Sequence, residues 1–197
     1  MLECNDILTE HYQLPTDIFN ILNEIDVDRL DSTSVPVPPT IRSSKSFKYH
    51  TRYKMYDRYY KHILPESKTD KPILQKYRRC SIGAERYKSL LAAVSKNFST
   101  SYVQWANHII YPAENGFMGW HTNRLTPRLR LYINYVDEDD KSFIRYIHPK
   151  TGEMITSYDK KGWQARTFDI TKDEPLWHCV RANTRRVSLG FRITKRG

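Results

Sequence analysis

No stretch of this sequence approaches the roughly 18 apolar residues that cross a bilayer. Its first fifteen residues, MLECNDILTEHYQLP, carry acids where a secretory leader has bases followed by an apolar run. The expectation is a cytoplasmic protein with no membrane partner. Cysteine is scarce: Cys4, Cys80 and Cys179 are odd in number, far apart and free of any CxxC pair. That excludes a disulfide framework and a thiolate zinc site, and predicts reduced thiols. There is no GxGxxG and no GxxxxGK[ST], so nothing points to a dinucleotide or P-loop site. Neither an internal repeat nor a low-complexity tract is present.

What is there describes a polar globular chain. Its 197 residues are 39% hydrophobic and 27% charged, enough for one packed domain with an extension and too apolar for disorder. The charge is unevenly spread. Residues 1–40 hold eight acids against one base, net −7, so the remainder carries +17 of the total +10. A basic body of that kind favours anionic substrates or nucleic acid as partners.

Along the chain, residues 1–31 read as short helices. LPTDIFNILNEID places Ile18, Phe19, Leu22 and Ile25 at helical spacing behind Pro15 and Thr16. DSTSVPVPPT, with three prolines in ten residues, reads as an extended linker. Residues 1–40 thus form an acidic extension and linker, and 41–197 the main domain, with helices over about 45–98 and strands over about 101–193. Within SFKYHTRYKMYDRYYKHIL, tyrosines alternate with Lys48, Arg52, Lys54, Arg58 and Lys61. Rings to stack on and charges for phosphate suit single-stranded nucleic acid. Yet Tyr49, Tyr53, Tyr56 and Tyr60 share one helical face, which suits core packing equally. ERYKSLLAAVSKNF reads as a helix.

After residue 100 the period changes to two. SYVQWANHIIY, RLRLYINYV, WQARTFDI, EPLWHCV and RRVSLGFRI read as strands, KSFIRYIHPKTGEMITSY as a hairpin turning at 149–152, and DKKG as a further turn. This pattern predicts an α+β chain: an antiparallel sandwich or jelly roll behind a helical N-terminal layer.

Two histidines stand out. His121 opens a strand in GWHTNRL, and His178 lies in LWHCV. Histidine–any–acid is how one strand offers two metal ligands, but the second position here is the amide Asn123. Two histidines and a carboxylate on one face of iron leave other positions open. Eight residues beyond His178 comes Arg186, suited to a bidentate carboxylate, and Ser188 shares its side of the strand.

In HIIYPAENGFMGWHTN (108–123), RLYINYV (130–136) and PLWHCVRANTRRVSLGFRI (175–193), the sequence resembles the iron(II)/2-oxoglutarate-dependent oxygenases, in their prolyl-hydroxylase-like branch. The 57-residue separation of His121 and His178 and the terminal Arg-x-Ser carry the likeness. The Tyr- and Lys-rich style resembles bacteriophage-encoded oxygenases. The resemblance implies a double-stranded β-helix with iron(II) on His121 and His178. Asn123 is then a weak or water-mediated ligand, and 2-oxoglutarate lies on Arg186 and Ser188 with Tyr111 and Tyr132 assisting. It implies molecular oxygen as co-substrate, oxidative decarboxylation to succinate and, usually, hydroxylation of a second substrate. Halogenation needs an open halide position, which Asn123 partly fills. Two other readings stand beside it: a retired oxygenase fold kept for binding or assembly, and a nucleic-acid module using the basic segment. An unpaired buried cation costs several kcal/mol, so Arg186 and Ser188 beside both histidines favour the active reading.

Overall fold

The computed structural model describes residues 8–37, 75–99, 102–123, 128–171 and 176–194. The basic Tyr-rich segment and most of the span expected to be helical lie outside them. Among the described residues, no helix is long and apolar enough to cross a membrane.

Strands β1 (Leu8–Tyr12), β2 (Val35–Pro36), β4 (Arg78–Arg79), β5 (Val103–Tyr111), β7 (Arg128–Val136), β10 (Gly162–Ile170) and β12 (Arg186–Ile193) make a seven-stranded antiparallel sheet. Its order is β1-β10-β7-β12-β5-β4-β2. Strands β3 (Gln75–Lys76), β6 (Gly116–His121), β8 (Ser142–Ile147), β9 (Met154–Tyr158) and β11 (His178–Ala182) make the second sheet, ordered β3-β6-β11-β8-β9. The two sheets form a jelly roll. Helices α1 (Thr16–Asn23), α2 (Val27–Thr33) and α3 (Ala84–Asn97) accompany them.

The period-two pattern explains the layers. On β7, Leu129, Leu131 and Ile133 share one face; on β12, Val187, Leu189, Phe191 and Ile193 do the same. These join Ile18 and Leu22 of α1 and Leu90, Ala93 and Val94 of α3 in one buried core. Each of these side chains larger than alanine contributes about 1.5–3 kcal/mol on removal from water. Ile18 and Leu22 are one turn apart, so α1 buries a single stripe. The Asn97 amide fastens the helices together, donating to Asp17 Oδ1 (3.0 Å) and to the Ala93 carbonyl (2.8 Å). The alternate residues of β7 and β12 therefore face the space between the sheets, and they are polar: Arg130, Tyr132 and Asn134, then Arg186 and Ser188.

Three local expectations need correction. Residues 8–12, read as helical, form an edge strand paired with Phe168, Thr167 and Ala165; the open edge of β10 outweighs helix propensity. Residues 75–76 and 78–79, inside the span expected to be helical, are short strands on β6 and β5. His121 ends strand β6 rather than opening a strand. The hairpin with its turn at 149–152, α1 and the strands read in SYVQWANHIIY, RLRLYINYV, WQARTFDI and RRVSLGFRI are present, whereas the strand read in EPLWHCV begins only at His178 and runs on to Ala182.

Gly116 marks a close backbone approach. A Cβ there would lie 2.7 Å from the Pro112 carbonyl oxygen and 2.8 Å from Tyr111 Cβ. Gly116→Ala is expected to destabilise the fold by about 1–3 kcal/mol, read by urea unfolding. An unchanged midpoint would show that the β5–β6 corner relaxes freely.

Candidate active site

His121 and His178 are direct cross-strand partners on β6 and β11, with ring centroids 4.0 Å apart. Both are buried. His121 Nδ1 lies 2.8 Å from the Gly119 carbonyl, and His178 Nδ1 lies 2.9 Å from the Leu176 carbonyl. A carbonyl only accepts, so each Nδ1 carries the proton and each Nε2 is left as a lone-pair donor. Burial, with a smaller push from the Arg130 cation, lowers the His121 pKa to about 4. The ring is therefore neutral at neutral pH, the form that ligates metal. Asn123 sits in left-handed backbone (φ 58°), which asparagine and aspartate tolerate better than most residues. Its Nδ2 lies 3.4 Å from His178 Nε2 and donates to it.

These residues line one cavity of about 400 Å³ together with Tyr111, Tyr132, Arg186 and Ser188. All seven residues singled out in the sequence thus meet there. Arg186 is cross-strand to Tyr111, its Cζ lying 5.4 Å from that ring's centroid. Burial raises the phenol pKa of Tyr111, with Arg186 opposing, and raises that of Tyr132; both stay protonated at neutral pH.

The residue that sequence reading missed is Asp159. It falls in DKKG, read only as a turn, yet it is fully buried. Arg186 Nε donates to its Oδ2 (2.7 Å), Ser142 Oγ donates to the same oxygen (2.6 Å), and Arg166 Nη1 donates to Oδ1. Burial alone would raise the pKa of Asp159. The Arg186 and Arg166 charges and these hydrogen bonds outweigh it and hold it at about 2. Arg186 is therefore not an unpaired cation, and its presence no longer argues by itself for activity. Its Nη groups meet no acceptor among the described residues, so one edge of the guanidinium remains for a ligand. The sequence carries no signal for it: Arg166 lies between Ala165 and Thr167 and Arg186 between Arg185 and Val187, so neither guanidinium reads as buried until the two sheets are assembled.

Arg185 points to the opposite face, where it bridges Asp28 and Asp137 (2.9 Å to the latter). Cys80 and Cys179 are buried free thiols, and burial pushes both pKa values up, Cys80 to about 12. They are inert, and neither lines the cavity. Among the described residues, no group of three or more His, Cys, Asp or Glu side chains converges on a metal position.

No family model matches the sequence, and no curated protein matches it. Solved structures do. A prolyl-4-hydroxylase from Pseudomonas putida matches with a TM-score of 0.55 at 14% identity, over 98% of this chain and 95% of that one. A Trichoplax adhaerens prolyl hydroxylase, solved in complex with a hypoxia inducible factor oxygen degradation domain peptide fragment, matches at TM-score 0.44 and 10% identity, over 95% and 96%. A 2OG-Fe(II) oxygenase family oxidoreductase from Burkholderia pseudomallei matches at 0.40 and 11%, over 66% and 63%. The first match shows that this chain has the fold of that prolyl-4-hydroxylase.

Asp159 carries a checkable pH dependence. Its folded pKa lies below the ordinary 3.8, so its stabilisation is complete above about pH 4 and is lost as pH falls toward 2, about 2 kcal/mol in all. Asp159→Asn strands two buried guanidinium groups and should cost about 3–5 kcal/mol at neutral pH, flattening the acid limb of a stability–pH curve. A variant as stable as the wild type would remove Asp159 from this role.

Proposed function

We propose that the protein is an iron(II)/2-oxoglutarate-dependent oxygenase, a hydroxylase in reaction type. The observation that carries this is the cross-strand pair His121 and His178, each pinned through Nδ1, in the same cavity as the open edge of Arg186. The donor set suits two of three protein ligand positions. Asn123 fills the third with a neutral amide, either as a loose oxygen ligand or by holding a bound water.

Iron(II), when bound, supplies oxygen activation coupled to decarboxylation of 2-oxoglutarate to succinate. The chain supplies the rest. Arg186 binds the distal carboxylate through its Nη groups, while Asp159 and Ser142 lock the other edge of the guanidinium. Ser188, Tyr111 and Tyr132 line the same cavity, where their hydroxyls would border that carboxylate. Ile144, Phe168 and Val180 from three strands exclude water.

Particular observations favour the second reading, a retired fold used for binding. No carboxylate stands at position 123, the Asn123 amide covers His178 Nε2, and the Arg130 charge bears on His121. The nucleic-acid reading rests on residues 45–61, outside the described residues.

Anaerobic iron(II) titration with 2-oxoglutarate, paired with a succinate assay, separates these. The wild type should bind iron at micromolar concentrations, and His121→Ala or His178→Ala should abolish binding. Asn123→Asp should tighten it by restoring a negative charge. Arg186→Ala should weaken 2-oxoglutarate by about 2–5 kcal/mol. Arg185→Ala should leave the co-substrate untouched and cost about 1 kcal/mol of stability, since its pairs are partly exposed. A wild type that takes up no iron assigns the protein to the retired class.

A further inference from the structure

The polar wall extends beyond the groups that the proposed reaction uses. On the cavity face of β12, Arg186 and Ser188 are followed by Gly190 and Arg192. Arg192 lies directly across from Arg130 on β7, and both line the cavity with Arg79 from β4. Among the described residues no carboxylate lines this cavity. Asp159 stands behind Arg186 and Arg166, at the other end of β12. Like charges directly opposite on neighbouring strands are destabilising. Arg192 also buries its Nε with no acceptor among the described residues.

The surrounding backbone is shaped to keep this end open. Strand β5 has a bulge between the pairs Gly190↔Asn107 and Phe191↔Trp105, so that Ala106 and Asn107 both reach the cavity. The Asn107 side chain fits only because residue 190 is glycine: a Cβ there would lie 2.6 Å from Asn107 Oδ1 and 3.0 Å from the Tyr132 ring. On the neighbouring strand Asn134 is 1% exposed, and its Oδ1, like that of Asn107, is a buried acceptor without a partner among the described residues. An unmet buried acceptor costs about 1–3 kcal/mol, so two of them beside an arginine pair describe a built polar site.

We propose that the Arg192 end of the cavity binds the anionic group of a small-molecule substrate, a phosphate monoester or carboxylate. Hydroxyl or amino donors on that molecule meet Asn134 and Asn107. As a statement about the substrate, this rests on the oxygenase reading. The charge count supports an anion: iron(II) and 2-oxoglutarate dianion cancel one another, so a loaded reaction centre leaves the Arg192 end as cationic as before. Arg192 is a specificity residue in this scheme. Its fork suits phosphate and carboxylate better than a lysine point charge does.

Titration of the full chain with inorganic phosphate, and separately with acetate, tests the subsite by calorimetry, with and without saturating iron(II) and 2-oxoglutarate. The wild type should bind one of the two anions in both states with affinities within about twofold. Arg192→Gln should lose about tenfold or more, the effect of one charge-assisted hydrogen bond, and Arg192→Lys should fall between. A wild-type melting temperature for Arg192→Gln assures that the loss is local. Equal anion binding by wild type and Arg192→Gln, or displacement of the anion by 2-oxoglutarate, overturns the subsite while leaving the oxygenase reading intact. Binding confined to a single-stranded oligonucleotide and indifferent to Arg192 overturns it too. Arg192-dependent anion binding by a chain that takes no iron keeps the subsite and removes the oxygenase reading.

Discussion

The carboxylate of Asp159, buried between two guanidinium groups, is the constraint on which the interior depends. It holds Arg186 of β12 and Arg166 of β10 from the major sheet, and Ser142 of β8 from the minor sheet. Its backbone joins the same knot, with its N–H on the Ser142 carbonyl (3.0 Å) and its carbonyl accepting from Asp140 (2.9 Å). Such a cluster contributes less net stability than its contacts suggest, because burying each ion is costly. Its structural consequence is specificity: the two sheets close in one register, and Arg186 is presented with one edge fixed and the other open. Whatever anion enters the deep end of the cavity meets a preorganised cation rather than a mobile one.

The architecture was legible because a jelly roll announces itself in period two. RLRLYINYV and RRVSLGFRI put every second residue into the helix-backed core, and the spacing of His121 and His178 survives as a cross-strand pair. Less legible was the meaning of the polar faces. Ordinary alternation sends polar residues to water, whereas here they line the space between two sheets. Arg130 and Arg166 therefore look like surface residues in the sequence and are 2% and 1% exposed in the fold. Asp159 was hidden more thoroughly, because Asp-Lys-Lys-Gly is a turn signature and the turn is real. Gly162, its last residue, has φ 90°, and only long-range pairing distinguishes its buried acid from the exposed acids of other turns. Strand β1 was missed for a similar reason: its partner is more than 150 residues away.

Electrostatically the cavity is an unusual host for a cation. Two imidazoles, an amide and a wall of arginines surround the place where a metal would lie, and the acid that would offset them is spent on Arg186 and Arg166. Any iron held there draws part of its binding from the co-substrate's own negative charge. Metal and 2-oxoglutarate are then expected to bind as a coupled pair. The same field that weakens a lone cation attracts anions, so one charge distribution would serve the weak metal site, the co-substrate anchor and the anion subsite of the proposed oxygenase.

The most direct measurement is an anomalous-difference map from anaerobic crystals grown with iron(II) and 2-oxoglutarate. The account predicts one iron peak bridging His121 Nε2 and His178 Nε2, 2-oxoglutarate density running from that peak to the Nη groups of Arg186, and Asp159 still on Arg186 Nε. Crystals with no peak between the histidines, or with 2-oxoglutarate lodged away from Arg186, would contradict it.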